Sequence, residues 1–211
     1  MSNIENTLAD IKKRYTKESI QSCNLSCGNN IDFLNIKPGD TILDLGCGRG
    51  EETIQVASLI GPSGFADGLD ITDAMIDEAI KKAEKANVDN VKFTIGDIEN
   101  LPYEDARFSA VMSNCVINHA KDKSSVYKEI YRVLKSNGRF VISDAVSKYQ
   151  LPQEVKNDPE AWAQCFGGAE TEEEYLSNIK SAGFKVIEIL NRREYLKNGY
   201  DFISLTIRAT K

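Results

Sequence analysis

Short apolar runs alternate along the chain with longer segments in which apolar residues recur at helical spacing. Such runs predict buried strands, and the longer segments predict the helices between them. The predicted strands are Thr41–Leu45, Phe65–Asp70, Val91–Ile95, residues 111–113 with their flanks, and 139–143. The predicted helices are residues 4–20, 31–36, Glu51–Ile60, Asp73–Ala86 and 123–134. Regular alternation of this kind is typical of a parallel sheet with crossover helices.

The pattern changes after residue 143. Residues 144–168 show no strand period and are expected to cap a site. Residues 171–182 are predicted to form a helix that begins with a capping box between Thr171 and Glu174. Residues 186–192 and 202–209 have strand character and predict a hairpin added to the sheet.

Length and charge narrow the class of protein. The chain has 211 residues and a formal net charge of -6, so we expect one domain with no nucleic-acid partner and no anionic membrane partner. It has no apolar stretch near the roughly 18 residues of a membrane span. The first 20 residues lack the apolar centre of a signal peptide. A cytoplasmic location is therefore expected.

A glycine-rich loop follows the first predicted strand. The strand carries Asp44 and leads into Gly46, Cys47, Gly48 and Gly50 before the next helix. Glycines allow positive φ and close approach of a ligand to the backbone. The third glycine follows the second by two residues, whereas the dinucleotide fingerprint has three. No phosphate-binding lysine follows. The loop therefore favours a nucleoside over a triphosphate, or is simply a tight strand-to-helix turn.

Carboxylates follow the next two strands. Asp70 ends the second strand and could accept both ribose hydroxyls, or could cap the helix near Asp73. Asp97 follows the third strand and could bond an adenine amino group, or serve only in a turn. Both lie at strand carboxyl ends, the edge at which open parallel sheets bind ligands.

The loop, these two carboxylates and the segment 131–138 resemble the class I S-adenosylmethionine-dependent methyltransferases. The resemblance covers residues 41 to about 144 and implies a Rossmann-like, doubly wound α/β fold. Its seven-stranded sheet would be mostly parallel, with a C-terminal antiparallel hairpin. It also implies S-adenosylmethionine as cofactor, with the loop facing methionine. The implied cofactor residues are Asp44, Gly46, Cys47, Gly48, Gly50, Asp70, Ile71, Asp97, Ile98 and Asn114.

The five cysteines carry a narrower resemblance. An odd count and the absence of a second CxxC pair disfavour a disulfide framework or a zinc site. Burial as a small hydrophobe is the common alternative, and it is the one we expect for Cys47. Segments 24–30, 113–118, 162–169 and 202–209 resemble arsenite methyltransferases. That resemblance implies that Cys115 and Cys165 hold the substrate, trivalent arsenic.

The chain departs from this family at Thr53, where a further cysteine is common, and it ends without the C-terminal extension of many relatives. The third arsenic ligand stays open to a small thiol, to Cys23 or to Cys27. Soft thiophilic ions prefer thiolates. The arsenic lone pair could then attack the sulfonium methyl in line, so that catalysis rests on positioning without a general base.

Transfer of a methyl group from S-adenosylmethionine to thiolate-bound arsenite is the leading hypothesis. The alternatives are another small acceptor, such as a quinone-like carbon or a thiol, and a binding protein without turnover. His119 is expected to cap or decorate a surface helix, and Trp162 to anchor packing. We divide the single domain 1–211 into an N-terminal helical cover (1–40), a cofactor core (41–144), a substrate-capping segment (145–170) and a C-terminal helix with hairpin (171–211).

Overall fold

The computed structural model describes the backbone of residues 2–18 and 30–211 and the side chains of residues 9–17 and 30–211. Cys23 and Cys27, two candidates for the third arsenic ligand, lie outside the described residues. Within the described ranges, no helix is both long enough and apolar enough to span a bilayer.

The described residues form one seven-stranded sheet in the order β3-β2-β1-β4-β5-β7-β6. The strands are β1 Thr41–Leu45, β2 Phe65–Asp70, β3 Val91–Ile95, β4 Phe108–Asn114, β5 Leu134–Ser147, β6 Val186–Lys197 and β7 Tyr200–Thr210. The helices are α1 Ser2–Glu18, α2 Asn30–Phe33, α3 Glu51–Ile60, α4 Asp73–Ala86, α5 Lys123–Val133, α6 Gln153–Lys156, α7 Pro159–Ala163 and α8 Glu172–Ser181. A 3₁₀ turn spans Ile117–His119.

Strands β1 to β5 pair in parallel, and β7 pairs antiparallel with both β5 and β6. This arrangement confirms the predicted mostly parallel sheet with a C-terminal antiparallel hairpin. Because the chain crosses over between parallel strands, the carboxyl ends of β1, β2, β3 and β4 lie along one edge.

Helices cover both faces of the sheet. Along β1, Ile42 packs with Val56 of α3 on one face. The next residue, Leu43, packs with Val126 of α5 and Tyr175 of α8 on the other. Burial on both faces explains why the central strands read as continuous apolar runs rather than as an alternating pattern.

Strand β5 is longer than predicted. We expected residues 139–143, whereas the strand runs from Leu134 to Ser147. Its ladder with β4 ends at Asn114 opposite Ser143, but the ladder with β7 continues to Ser147 opposite Phe202. At its end the prediction stopped where the parallel ladder stops, and it missed residues 144–147, which only the antiparallel partner holds. At its start it missed residues 134–138, where Leu134 pairs with Phe108 across a register shift.

The predicted capping segment contains two short helices. In α7 the first turn is capped by Asp158, which accepts from the Glu160 amide at 2.9 Å. Helix α1 packs against α7. Trp162 packs as expected: its indole Nε1 donates to the Lys156 carbonyl at 2.7 Å, and its ring leaves no room for a Cβ at Gly168.

The predicted capping box at the start of α8 is confirmed. The Thr171 hydroxyl accepts from the Glu174 amide, and the Glu174 carboxylate accepts from the Thr171 amide. Each side chain satisfies one of the main-chain donors that a helix start leaves unpaired.

Candidate active site

The glycine loop is held against the end of β2 by its own backbone. The amides of Gly46 and Cys47 both donate to the Leu69 carbonyl, at 2.7 and 3.0 Å. Gly46 has a φ of 70°, and a Cβ there would lie 2.2 Å from Val116 Cγ2. Gly48 has a φ of 53°, and a Cβ there would meet nothing within 4 Å. Gly46 is therefore required by packing, whereas Gly48 borders open space.

Asp70 fastens the loop to the start of α4. Its Oδ2 accepts from the Gly48 amide at 3.0 Å, and its Oδ1 accepts from the Thr72 amide at 2.8 Å. Burial raises the pKa of the Asp70 carboxyl, and these backbone hydrogen bonds oppose the rise. Each carboxylate oxygen keeps a second lone pair that can accept from a ligand hydroxyl. Asp70 thus organises the turn before α4, whose N-cap residue is Thr72, and it borders the cavity. Its binding of a ribose stays a prediction.

Asp44 lies buried beneath the loop. Burial, and next the charge of Glu52, raise the pKa of Asp44 to about 8, and the hydrogen bond from Thr53 opposes this. The Thr53 hydroxyl donates to Asp44 Oδ2 at 2.6 Å. Asn114, at the end of β4, donates to Glu52 Oε1 at 3.1 Å. The ends of β1 and β4 thus present a polar, acidic wall.

The residues after β3 form the outer wall. Asp97 is exposed, and its Oδ1 accepts from the Glu99 amide at 2.9 Å, as expected of a turn residue. Asp97 and Ile98 also border the same cavity as the loop, so the turn reading and the ligand reading are compatible.

One cavity of about 960 Å³ brings these groups together. Every cofactor residue implied by the sequence lines it except Gly50, and both Cys115 and Cys165 line it as well. Gly50 instead allows packing: a Cβ there would lie 2.7 Å from the Phe93 ring and 2.9 Å from Ala79 Cβ. The open space over Gly48, the half-buried Asp70 carboxylate and the cavity volume fit a nucleoside joined to an amino acid.

The two predicted substrate cysteines occupy left-handed backbone conformations. Cys115 has a φ of 56° and Cys165 a φ of 62°. The Cys115 amide donates to the Ser143 carbonyl at 2.8 Å, which fixes it to β5 at the point where the ladder with β4 ends. Residues other than glycine rarely adopt a positive φ unless the surrounding structure holds them there. Residues in this conformation are concentrated at functional sites.

The oxidation states of these sulfurs differ. Cys115 is disulfide-bonded, and because Cys47 and Cys165 are free, neither is its partner. This corrects the expectation that the chain holds no disulfide. A disulfide is opened by attack of an external thiolate, so Cys115 becomes a ligand only after reduction.

Cys165 lies in a group of polar side chains. Its Sγ is 2.9 Å from His119 Nε2 and 3.2 Å from Tyr15 Oη, and these last two atoms are 3.0 Å apart. Burial raises the pKa of Cys165, and the Tyr15 hydrogen bond together with the charges of Arg14 and Lys197 opposes the rise. The expectation for His119 is therefore wrong: it lies in the cavity wall beside a candidate ligand.

The loop cysteine behaves as expected of a packed residue. Cys47 is buried, and burial together with three nearby carboxylates raises the pKa of its thiol. Its sulfur would lie 2.9 Å from a Cβ at Gly68. Thr53 is fully buried and its hydroxyl donates to Asp44. It therefore offers no ligand in place of the cysteine that is common at that position.

Sequence reasoning missed the cavity residues Arg14, Tyr15 and Lys197. They come from α1 and from the end of β6, and no local motif marks them. The amphipathic pattern of α1 predicted a helix, but it did not identify what that helix covers.

The sheet order, the glycine loop and the acidic residue after β2 define a class I S-adenosylmethionine-dependent methyltransferase. The methyltransferase domain family model matches residues 36–183. The chain belongs to this family.

Arsenite methyltransferases are among its relatives. The chain is 39% identical over 170 residues to the arsenite methyltransferase of Halobacterium salinarum, covering 81% of this chain and 44% of the relative. It superposes on a crystal structure of an arsenic(III) S-adenosylmethionine methyltransferase from Chlamydomonas reinhardtii with a TM-score of 0.78 and 30% identity. That match covers 99% of this chain and 73% of the other. These likenesses confirm the recognition made from the sequence.

A quinone enzyme is also similar. The chain is 42% identical over 107 residues to the demethylmenaquinone methyltransferase of Lactobacillus johnsonii, which covers 50% of this chain and 44% of that protein. The chain thus spans less than half the length of both curated relatives described here.

Proposed function

We propose that this chain binds S-adenosylmethionine in the cavity and transfers its methyl group to trivalent arsenic bound by Cys115 and Cys165. One observation carries the proposal: both sulfur-bearing residues line the same cavity as the glycine loop and Asp70, although they are far apart in the sequence. Similarity to arsenite methyltransferases supports it.

The cofactor-binding roles follow from the position of each group. The Asp70 carboxylate would accept the ribose hydroxyls beside Ile71, and Asp97 with Ile98 would border adenine. The loop at Gly46 and Gly48 would face the methionine portion, where the Asp44 and Asn114 wall meets the amino acid group. The cofactor supplies an electrophilic methyl group on a sulfonium centre.

The substrate-binding roles follow from the chemistry of the thiols. Soft thiophilic ions bind thiolates in preference to oxygen donors, and the hydroxyl of Thr53 is already engaged. Cys115 and Cys165 would hold arsenic with its lone pair directed at the methyl group. An arsenic–carbon bond would form as the sulfonium carbon–sulfur bond breaks and the thioether leaves, and the reducing thiol would return the pentavalent product to the trivalent state. A small thiol, Cys23 or Cys27 would complete the site. Placing two reactants at attack distance can supply about 7–11 kcal/mol of the barrier.

We also propose where the protein acts and how its chain is divided. Because a reducing compartment keeps thiols available, we place the protein in the cytoplasm, with small molecules rather than nucleic acid or membrane as its partners. We also propose that it works as a single domain with the four segments defined from the sequence: 1–40, 41–144, 145–170 and 171–211.

The direct test is an assay with S-adenosylmethionine, arsenite and a reducing thiol, read by mass spectrometry of methylated arsenicals. Wild type should form product, and Cys115→Ser and Cys165→Ser should each reduce turnover by more than about tenfold, or about 1.4 kcal/mol. Cys47→Ser, assayed at saturating S-adenosylmethionine, is the matched cysteine control: Cys47 packs in the loop on the cofactor side, so its replacement should lower stability more than arsenite turnover.

Two results would count against the proposal. Undiminished product from both cysteine variants would show that the thiols do not hold the substrate. Absence of product from wild type that binds S-adenosylmethionine would exclude arsenite as the acceptor. A demethylated quinone offered in parallel tests the other small-molecule alternative, and binding of both ligands without any product identifies a non-catalytic protein.

A further inference from the structure

Cys165 does not stand alone in the cavity wall. Its Sγ, His119 Nε2 and Tyr15 Oη form a triangle in which every side is a hydrogen-bond distance, between 2.9 and 3.2 Å. Three segments distant in the sequence supply these atoms: the chain just after α7, the 3₁₀ turn after β4, and α1. We propose that His119 is a positioning residue that holds the Cys165 sulfur toward the cavity, with Tyr15 completing the contact. This proposal rests on the proposed function for its benefit to catalysis, but not for the contact itself.

The histidine is suited to accept a hydrogen bond. Burial, and then the charges of Arg14 and Lys123, lower the pKa of His119 to about 4, so the ring is neutral near pH 7. A neutral imidazole donates through one nitrogen and accepts through the other. The Trp162 main chain favours a proton on the ring, and Nδ1 is the ring nitrogen that the Cys165 and Tyr15 contacts leave over. A proton on Nδ1 leaves Nε2 to accept from the Cys165 thiol.

A neighbouring amide fixes the distance between the two residues. The Asn118 Nδ2 lies 2.9 Å from Asp144 Oδ1, 2.7 Å from the Ala145 carbonyl and 3.3 Å from the Cys165 carbonyl. It thereby joins the turn that carries His119 to the main chain of Cys165. A Cβ at Gly168 would lie 2.1 Å from the Asn118 carbonyl, so the two segments are also in close packing contact.

Positive charge beside Cys165 gives the contact a further role. Arg14 donates to the Ala163 carbonyl, and Lys197 Nζ donates to the Gln164 carbonyl at 2.8 Å. Both cations favour the ionised form of the Cys165 thiol, whereas burial and the charge of Asp144 oppose it. Burial is the largest of these effects and the pKa of the Cys165 thiol stays raised, so the sulfur is held as a thiol, and a hydrogen-bond acceptor at 2.9 Å decides its orientation.

The experiment compares histidine replacements that differ in where they place a polar atom. In His119→Gln the side-chain amide reaches the position of Nε2, whereas in His119→Asn it reaches only that of Nδ1. His119→Leu has no polar atom. The first readout is the rate of Cys165 alkylation by iodoacetamide, mapped by mass spectrometry in reduced protein without arsenic.

We expect His119→Gln to stay near the wild-type rate. In His119→Asn and His119→Leu the rate of Cys165 alkylation should fall about three- to tenfold, the factor expected for one hydrogen bond of ordinary net strength. Tyr15→Phe should fall by less, because the histidine contact remains. In the arsenite assay, His119→Asn and His119→Leu should raise KM for arsenite more than they lower kcat.

Controls separate this inference from a folding defect and from the proposed function. Each variant must retain the wild-type Tm and wild-type binding of S-adenosylmethionine. Equal alkylation rates in all four proteins, or a His119→Gln rate as low as that of His119→Leu, overturn the inference. The predicted alkylation pattern without any arsenic methylation would sustain the positioning role and reject the proposed substrate.

Discussion

The close contact beneath Gly46 makes a quantitative prediction. In Gly46→Ala the new Cβ would lie 2.2 Å from Val116 Cγ2 and 2.9 Å from Val116 Cβ, so rotation of the valine cannot remove the clash. The φ of 70° adds about 1–2 kcal/mol for an L-residue in a left-handed conformation. Overpacking adds about 1–3 kcal/mol. We expect Gly46→Ala to lower the free energy of unfolding by about 2–5 kcal/mol, the sum of the two.

Gly48→Ala is the matched control, because its φ of 53° carries the backbone cost while its Cβ would meet nothing within 4 Å. It should lose only about 1–2 kcal/mol, although binding of S-adenosylmethionine should weaken as the methyl group enters the cavity. Urea denaturation of both variants measures the difference. A second comparison pairs Gly46→Ala with Val116→Ala, which removes both Cγ atoms but keeps the Cβ at 2.9 Å and should therefore restore part of the packing loss in a double-mutant cycle. Equal destabilisation by the two glycine variants, or no coupling to residue 116, would refute the reasoning.

Three further predictions concern polar side chains outside the glycine loop. Burial raises the pKa of Asp144 from 3.8 to about 7, so the folded state binds the proton more tightly and loses stability as pH rises across that interval. In Asp144→Asn this loss should be absent when urea unfolding is compared at about pH 5 and about pH 8. Parallel pH profiles of the unfolding free energy for the two proteins would contradict the prediction. Thr171→Ala removes one half of the capping box with Glu174 and should lower the free energy of unfolding by about 1 kcal/mol, seen as a lower urea midpoint with unchanged slope. The Tyr103 hydroxyl donates to the buried Asp67 Oδ1 at 2.7 Å, so Tyr103→Phe should cost about 1–3 kcal/mol, and an unchanged Tm would count against it.

Much of the fold could be predicted because the information is local. Strands β1, β2 and β3 are short, are bounded by turns, and begin and end at the residues expected. Each is paired in parallel along its predicted length. The length of β5 depends instead on β7, a strand more than fifty residues later in the chain. No pattern within β5 reports the presence of that partner, so its last residues read as irregular.

Some residues of the site could likewise be predicted from local sequence, and others could not. The glycine loop and Asp70 could be predicted because one strand end and the next lie side by side in any sheet of this type. His119 could not, because a single histidine after a strand carries no spacing signal. Its burial depends on α1 and α7 closing over it, and Tyr15 reaches it across more than a hundred residues. Contacts made by tertiary packing alone leave no local trace.

The three contacts of Asn118 have a mechanical consequence. One amide nitrogen bonds the strand that follows the Cys115 turn and the main chain of Cys165. The walls that carry the two sulfurs therefore behave as one stiff unit, and widening the gap between them requires this joint to break. Arsenic held by both sulfurs would therefore meet two ligands whose separation this joint fixes.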